Sequence, residues 1–189
     1  MIAIFCIVDS APITKSRSHA LQQAILSRQL GVSEPITIVR NGKPKIAHHD
    51  LKFSVSHTHH LFCLATHPCA EIGIDIELKN RIISDRVLNR GQTSLHRHIP
   101  SHQRVQTWTE FEANAKCAGT GVRFPIPKKQ PYDTQSMEWQ QAIISVAATQ
   151  PITTTNIIIQ NQNHTQEHII NWQSPTGIHN QIRPLPPIH

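Results

Sequence analysis

The segment Ile72-Gly73-Ile74-Asp75-Ile76-Glu77 constrains this chain more than any other, because it alternates strictly. Successive side chains of a β-strand point to opposite faces, so Ile72, Ile74 and Ile76 share one face and Gly73, Asp75 and Glu77 the other. The isoleucine face belongs in a core. Like charges side by side on a strand repel one another unless a cation lies between them. Carboxylate oxygens suit a hard cation such as Mg²⁺, and the neighbouring glycine is expected to leave room for a ligand to approach the backbone. A metal site at Asp75 and Glu77 is the expectation.

Around this strand the chain alternates between strand and helix patterns. Ile2 to Val8 reads as a buried first strand, and Ser16 to Leu30 as a helix with Leu21, Ala24, Ile25 and Leu30 on one side, closed by Gly31. Ile36 to Ile46 reads as a hairpin turning at Asn41-Gly42. Leu51 to Ser56 and Leu61 to Thr66 are two further strands joined by Thr58-His59-His60. Beyond Arg81 the apolar residues Ile82, Ile83, Val87 and Leu88 predict a helix, and Ser94 to Gln103 a polar loop or weak helix. Thr107 and Glu110 have the spacing of a capping box that opens a second helix, with Gly119 and Gly121 at its end. Strand-like runs follow at Val122 to Ile126, Ala142 to Ala148, Asn156 to Gln160 and His168 to Trp172, and the Pro184 to His189 tail is expected to fray. Strands and helices with mainly antiparallel connections predict an α+β fold.

The 189 residues suffice for a core in one domain or two small ones. Eighteen Lys and Arg against twelve Asp and Glu give a net charge of +6, which suits an anionic partner. The basic residues are scattered and form no arm of the nucleic-acid-binding kind. Cys6, Cys63, Cys69 and Cys117 include no C-x-x-C pair, so neither a zinc ribbon nor a redox motif is expected. The opening apolar run is too short to span a membrane and lacks a basic n-region, which makes a cytoplasmic location the expectation.

Three places carry chemistry. Trp108, Glu112 and Lys116 recur every four residues and share one helix stripe. Taken alone, that spacing is also the one of a surface Glu–Lys pair beside a packed tryptophan. The sharper reading adds Glu112 to Asp75 and Glu77 as a third carboxylate, with Lys116 as the counter-charge, a set suited to metal-assisted transfer of a phosphate-bearing group. Ser56-His57 stands at a strand end, where adjacent side chains point apart, which favours phosphate contact over a nucleophile–base pair. The histidine tracts His48-His49 and His57 to His60 have no zinc-site spacing.

In this order the pieces resemble the 4′-phosphopantetheinyl transferase superfamily of the single-chain, surfactin-synthetase-activating type. The resemblance rests on Gly42-Lys43-Pro44, Phe53 to Thr58, Gly73 to Glu77, and Trp108 to Lys116 followed by Gly119 and Gly121, over about positions 40 to 125. It departs from the family pattern at Phe111, where the family has lysine, and more mildly at Ser54 and Thr58. The resemblance implies a pseudo-dimer of two similar α+β halves, residues 1–70 and 71–189, with the site between them. It implies coenzyme A as donor and a serine of an apo acyl or peptidyl carrier protein as acceptor. Asp75, Glu77 and Glu112 would then hold Mg²⁺ on the pyrophosphate, which Lys116 contacts. Lys43, Ser56, His57 and an early basic residue, Arg17 or His19, would bind the nucleotide, and Glu112 would take the acceptor's proton.

A monomer is expected, with neither nucleic acid nor membrane as partner. The alternative is a member of the same fold that binds coenzyme A or a carrier protein without turnover, which the Phe111 substitution allows. A nucleic-acid module would explain the basic charge, but not carboxylates gathered for one cation.

Overall fold

The computed structural model describes residues 1–38, 43–88, 100–122, 132–160, 165–171 and 181–184. Strand β1 (Ile2–Val8) leads to helix α1 (Lys15–Ala24), a π-helical turn (Ile25–Gln29), and the strands β2 (Ile36–Ile38), β3 (Pro44–Ile46), β4 (Lys52–Thr58), β5 (Leu61–His67) and β6 (Ile72–Leu78). The short helix α2 (Asp85–Leu88) and the long helix α3 (Ser101–Ala118) follow. The chain then runs through β7 (Asp133–Trp139), β8 (Ala142–Ala148), β9 (Thr154–Gln160), β10 (Thr165–Asn171) and β11 (Gln181–Pro184). The fold is mixed α+β.

One sheet has six strands in the order β11-β10-β9-β1-β5-β4, in which β1 and β9 run parallel and the other pairs antiparallel. A second sheet has the order β6-β8-β7, and β2 and β3 form a separate hairpin with Ile36 opposite Ile46. Sheet membership crosses position 70, because β9 to β11 extend the sheet that contains β1, β4 and β5.

The predicted alternation in β6 holds. Ile72, Ile74 and Ile76 are buried in one cluster with Ile2, Ile4 and Cys6 of β1, Cys63 and Ala65 of β5, and Ile144 and Val146 of β8. Complete burial of an isoleucine is worth about 1.5–3 kcal/mol, so these three strongly fix the register of β6. The other face of the six-stranded sheet presents Phe5, Phe53, Phe62 and Leu64 to Leu21 of α1 and to Ile25 and Leu26 of the π turn. Thr14 caps α1 by accepting from Arg17 N at 3.2 Å, and Gly31 beyond the π turn has φ +66°.

Four sequence expectations need correction. Helix α3 starts at Ser101 with Pro100 as its N-cap, six residues before the supposed capping box. Thr107 lies mid-helix and its hydroxyl donates to Gln103 O at 2.9 Å, the back-bonding that a helical threonine makes to the preceding turn. Among the described residues from 81 to 88 the helix covers Asp85–Leu88; Ile83 and Leu88 are buried, whereas Ile82 is 93% exposed. Strand β7 was not predicted, since its polar, half-buried residues carry little apolar signal. The fourth concerns Gly73 and is taken up with the site. The Asn41-Gly42 turn, the residues from 94 to 99, those from 123 to 126 and the end of the tail lie outside the described residues.

Candidate functional site

Helix α3 lies across the three-stranded sheet, and Gly73 is what lets it come so close. A Cβ built at Gly73 would sit 1.9 Å from Ala113 O and 2.4 Å from Cys117 N. The glycine therefore accommodates the helix backbone, not a ligand. The rotation of α3 is fixed on several sides. Trp108 and Phe111 pack with Ile83, Leu88, Val105 and Ile143. Thr109 Oγ1 lies 2.7 Å from Ser145 Oγ, and Asn114 Nδ2 donates to Thr134 Oγ1 at 2.8 Å. At the far end Gly119 adopts the left-handed conformation at φ +66°, and Thr120 N donates to Ala115 O, so the helix stops as the sequence suggested.

This packing brings Lys116 and Glu112 over Asp75. Asp75 is 2% exposed; its Oδ1 accepts from Lys116 Nζ at 2.7 Å and from Ser56 Oγ at 2.8 Å. Lys116 also donates to Ser56 Oγ at 3.0 Å. The partner of Lys116 is thus Asp75, on another element, and not the Glu112 of its own helix. Ser56 reaches the group because β4 and β6, each an edge strand, adjoin: Ile74 N donates to Ser54 Oγ at 3.1 Å.

Asp75 Oδ2 is buried and has no hydrogen-bond donor. The Glu112 carboxyl is close enough to donate to Asp75 when protonated, and burial, reinforced by the Asp75 charge, pushes its pKa up to about 7. Lys116 opposes that rise. His57, exposed at the cleft, is held below the ordinary histidine value by partial burial and then by the Lys116 charge. A buried carboxylate with one free oxygen beside a second carboxylate of raised pKa is a donor set short of positive charge.

The surrounding cleft has a volume of about 610 Å³ and is lined by Ser56, His57, Asp75, Glu77, Glu112 and Lys116 together with Lys15, Ser18, His19 and Gln22 of α1. Of the two early basic candidates, His19 lines this cleft, and Arg17 pairs with Asp9 at 2.6 Å. Glu77 lines the cleft as well, but its carboxylate is paired with Arg81. Lys43 stands apart. Its ammonium donates to Glu71 Oε2 at 2.6 Å and to Cys117 O at 2.9 Å, bracing β3 against the carbonyl end of α3. Lys15, Glu71 and Arg81 were missed in the sequence, where each is a lone charge next to a strand or helix end.

Among the described residues, no group of three or more His, Cys, Asp or Glu side chains is arranged to hold a metal ion. Asp75 and Glu112 form a pair that a cation fits, because it would satisfy the free Oδ2 and remove the reason for the raised pKa of Glu112. No helix among the described residues is long and apolar enough to cross a membrane. No protein-family model matches this chain, and no curated protein matches it.

Proposed function

We propose that this chain is a Mg²⁺-dependent 4′-phosphopantetheinyl transferase that moves phosphopantetheine from coenzyme A to a serine of an apo acyl or peptidyl carrier protein. The observation that carries the reading is the single cleft lined by Asp75, Glu112 and Lys116 together with Ser56, His57, Lys15 and His19. Carboxylates for a cation thus share one cleft with cations and polar groups for a nucleotide. The same reading takes the chain as two α+β halves meeting at β4 and β6 with the site between them. It also makes the protein a cytoplasmic monomer with no nucleic-acid partner.

Asp75 and Glu112 would hold the Mg²⁺, with Glu77 as a third ligand once free of Arg81. The ion would neutralise the pyrophosphate and polarise its phosphoryl oxygens. Lys116 steadies charge on the pyrophosphate oxygens, while His57, His19 and Lys15 receive the nucleotide's remaining phosphate. Lys43 acts on the site indirectly, by bracing α3. Glu112 accepts the proton of the acceptor serine, directly or through one water. The cation's charge would offset the burial and the Asp75 repulsion that raise the Glu112 pKa, keeping the carboxylate ionised as a base near neutrality. The serine oxygen forms a bond to the β-phosphorus as the bond from that phosphorus to the bridging oxygen breaks. The electron pair leaves with 3′,5′-adenosine bisphosphate.

A second reading, a coenzyme A or carrier-protein binder without turnover, is favoured by one observation: Glu77 is tied to Arg81. One experiment separates the two. Purified protein is incubated with coenzyme A, Mg²⁺ and a panel of apo carrier proteins, and the carriers are weighed by intact mass spectrometry. A gain of one phosphopantetheine that EDTA abolishes is the expected result. No gain with measurable coenzyme A binding selects the second reading, and no gain without binding overturns both.

A further inference from the structure

The acidic face of β6 ends at Glu77, and the turn that follows sends Arg81 back over that carboxylate. Arg81 N donates to Leu78 O at 2.9 Å, which closes the turn, and the guanidinium pairs with Glu77 Oε1. The guanidinium carbon lies 5.8 Å from the centroid of the Trp108 ring, within cation–π range. Trp108 is itself held against Phe111 at a centroid distance of 5.9 Å, one helical turn before Glu112. Arg81 is therefore positioned from β6 and from α3 together.

The charge balance explains why it is there. Asp75, Glu77 and Glu112 line one cleft, and Lys116 is already committed to Asp75. The Glu77 side chain is only 13% exposed, so water screens it little and it needs a positive partner. Beside it, Asp75 Oδ2 is buried and has no cationic partner. Arg81 answers one part of this excess and leaves the other open.

We propose that Arg81 is a counter-ion latch, paired with Glu77 until a divalent cation entering beside Asp75 and Glu112 displaces it. The latch rests on the metal reading given above. It lowers the affinity of the cleft for cations, since Glu77 must exchange one positive partner for another. The long aliphatic stem and the stacking on Trp108 let the guanidinium leave Glu77 without leaving its place on α3.

Mn²⁺ is the probe, with free ion counted by electron paramagnetic resonance during titration of the 189-residue chain. Arg81→Met keeps the apolar stem against Trp108 and removes the charge. It should bind Mn²⁺ about two- to fivefold more tightly than wild type, the range that loss of a partly exposed ion pair gives. Arg81→Lys, which keeps the charge, should stay near wild type. The gain should vanish when Glu77→Gln is added to Arg81→Met, an outcome that a merely structural role for Arg81 does not produce. Unchanged or weaker binding in Arg81→Met, or a gain that survives Glu77→Gln, overturns the latch while the metal site stands. No Mn²⁺ binding by wild type or by Arg81→Met overturns the metal reading and the latch with it.

Discussion

Lys116 Nζ lies 2.7 Å from Asp75 Oδ1, and this pair joins helix α3 to strand β6 with the Asp75 side chain almost wholly withdrawn from water. The chain builds its cleft around that buried ion pair. Ser56 shares the same carboxylate oxygen, and the Glu112 carboxyl lies within hydrogen-bonding reach of Asp75.

Asp75→Ala should abolish turnover and also lower stability. It leaves the Lys116 ammonium without its carboxylate, at a cost of about 2–3 kcal/mol, moderated because Lys116 is 32% exposed. Adding Lys116→Met to Asp75→Ala should recover part of that loss in urea denaturation. Strictly additive losses would show that the two residues are not coupled.

Glu112→Gln should remove transfer more than coenzyme A binding, and it should change the pH dependence of stability in a defined sense. The folded pKa of about 7 stands above the ordinary value of 4.5, so the native state holds this proton more tightly than the unfolded chain. The associated stability is fully present below about pH 4.5 and is lost as pH rises through about 7. At about pH 8 the glutamine variant should exceed wild type by on the order of 1–3 kcal/mol, and the two should converge below about pH 4.5. Parallel curves across that range, measured by thermal denaturation, would place Glu112 in water.

Mg²⁺ should raise the Tm of wild type above neutrality, and EDTA should reverse the rise. At a hundred times the dissociation constant the gain is about 2.7 kcal/mol. Asp75→Asn removes the negative charge from the site and should give a protein whose Tm does not respond to the ion. An equal response in that variant would move the cation elsewhere.

Gly73→Ala tests the approach of α3 to β6. The added methyl would meet backbone atoms that cannot swing aside, so the helix must shift, and the loss should be about 3 kcal/mol or more. A variant of wild-type stability by chemical denaturation would mean that α3 does not sit on that glycine.

Lys43→Met should weaken the fold by about 1–2 kcal/mol, because it removes the donor to the Cys117 carbonyl and leaves Glu71 only the more distant Lys52 at 3.9 Å. Burial would raise the Glu71 carboxyl, but Lys43 holds it below its usual value. The stability from this pair is therefore present above about pH 4.5 and lost as pH falls through the lowered value. The gap between variant and wild type should narrow in acid. A loss of coenzyme A binding with unchanged stability would instead make Lys43 a direct phosphate ligand.

The sequence by itself determined what local periodicity can encode. Strict alternation put the isoleucines of β6 on one face and its carboxylates on the other, because a strand has only two faces. The four-residue spacing put Glu112 and Lys116 on one stripe of a helix that ends at a left-handed glycine. Tertiary structure decided which charges meet, because ion pairing depends on distances between elements far apart in the chain. Lys116 reached 41 positions back to Asp75, Lys43 went to Glu71 and the end of α3, and Arg81 closed on Glu77. It also decided what Gly73 is for, since only the docked helix shows which atoms a side chain there would strike.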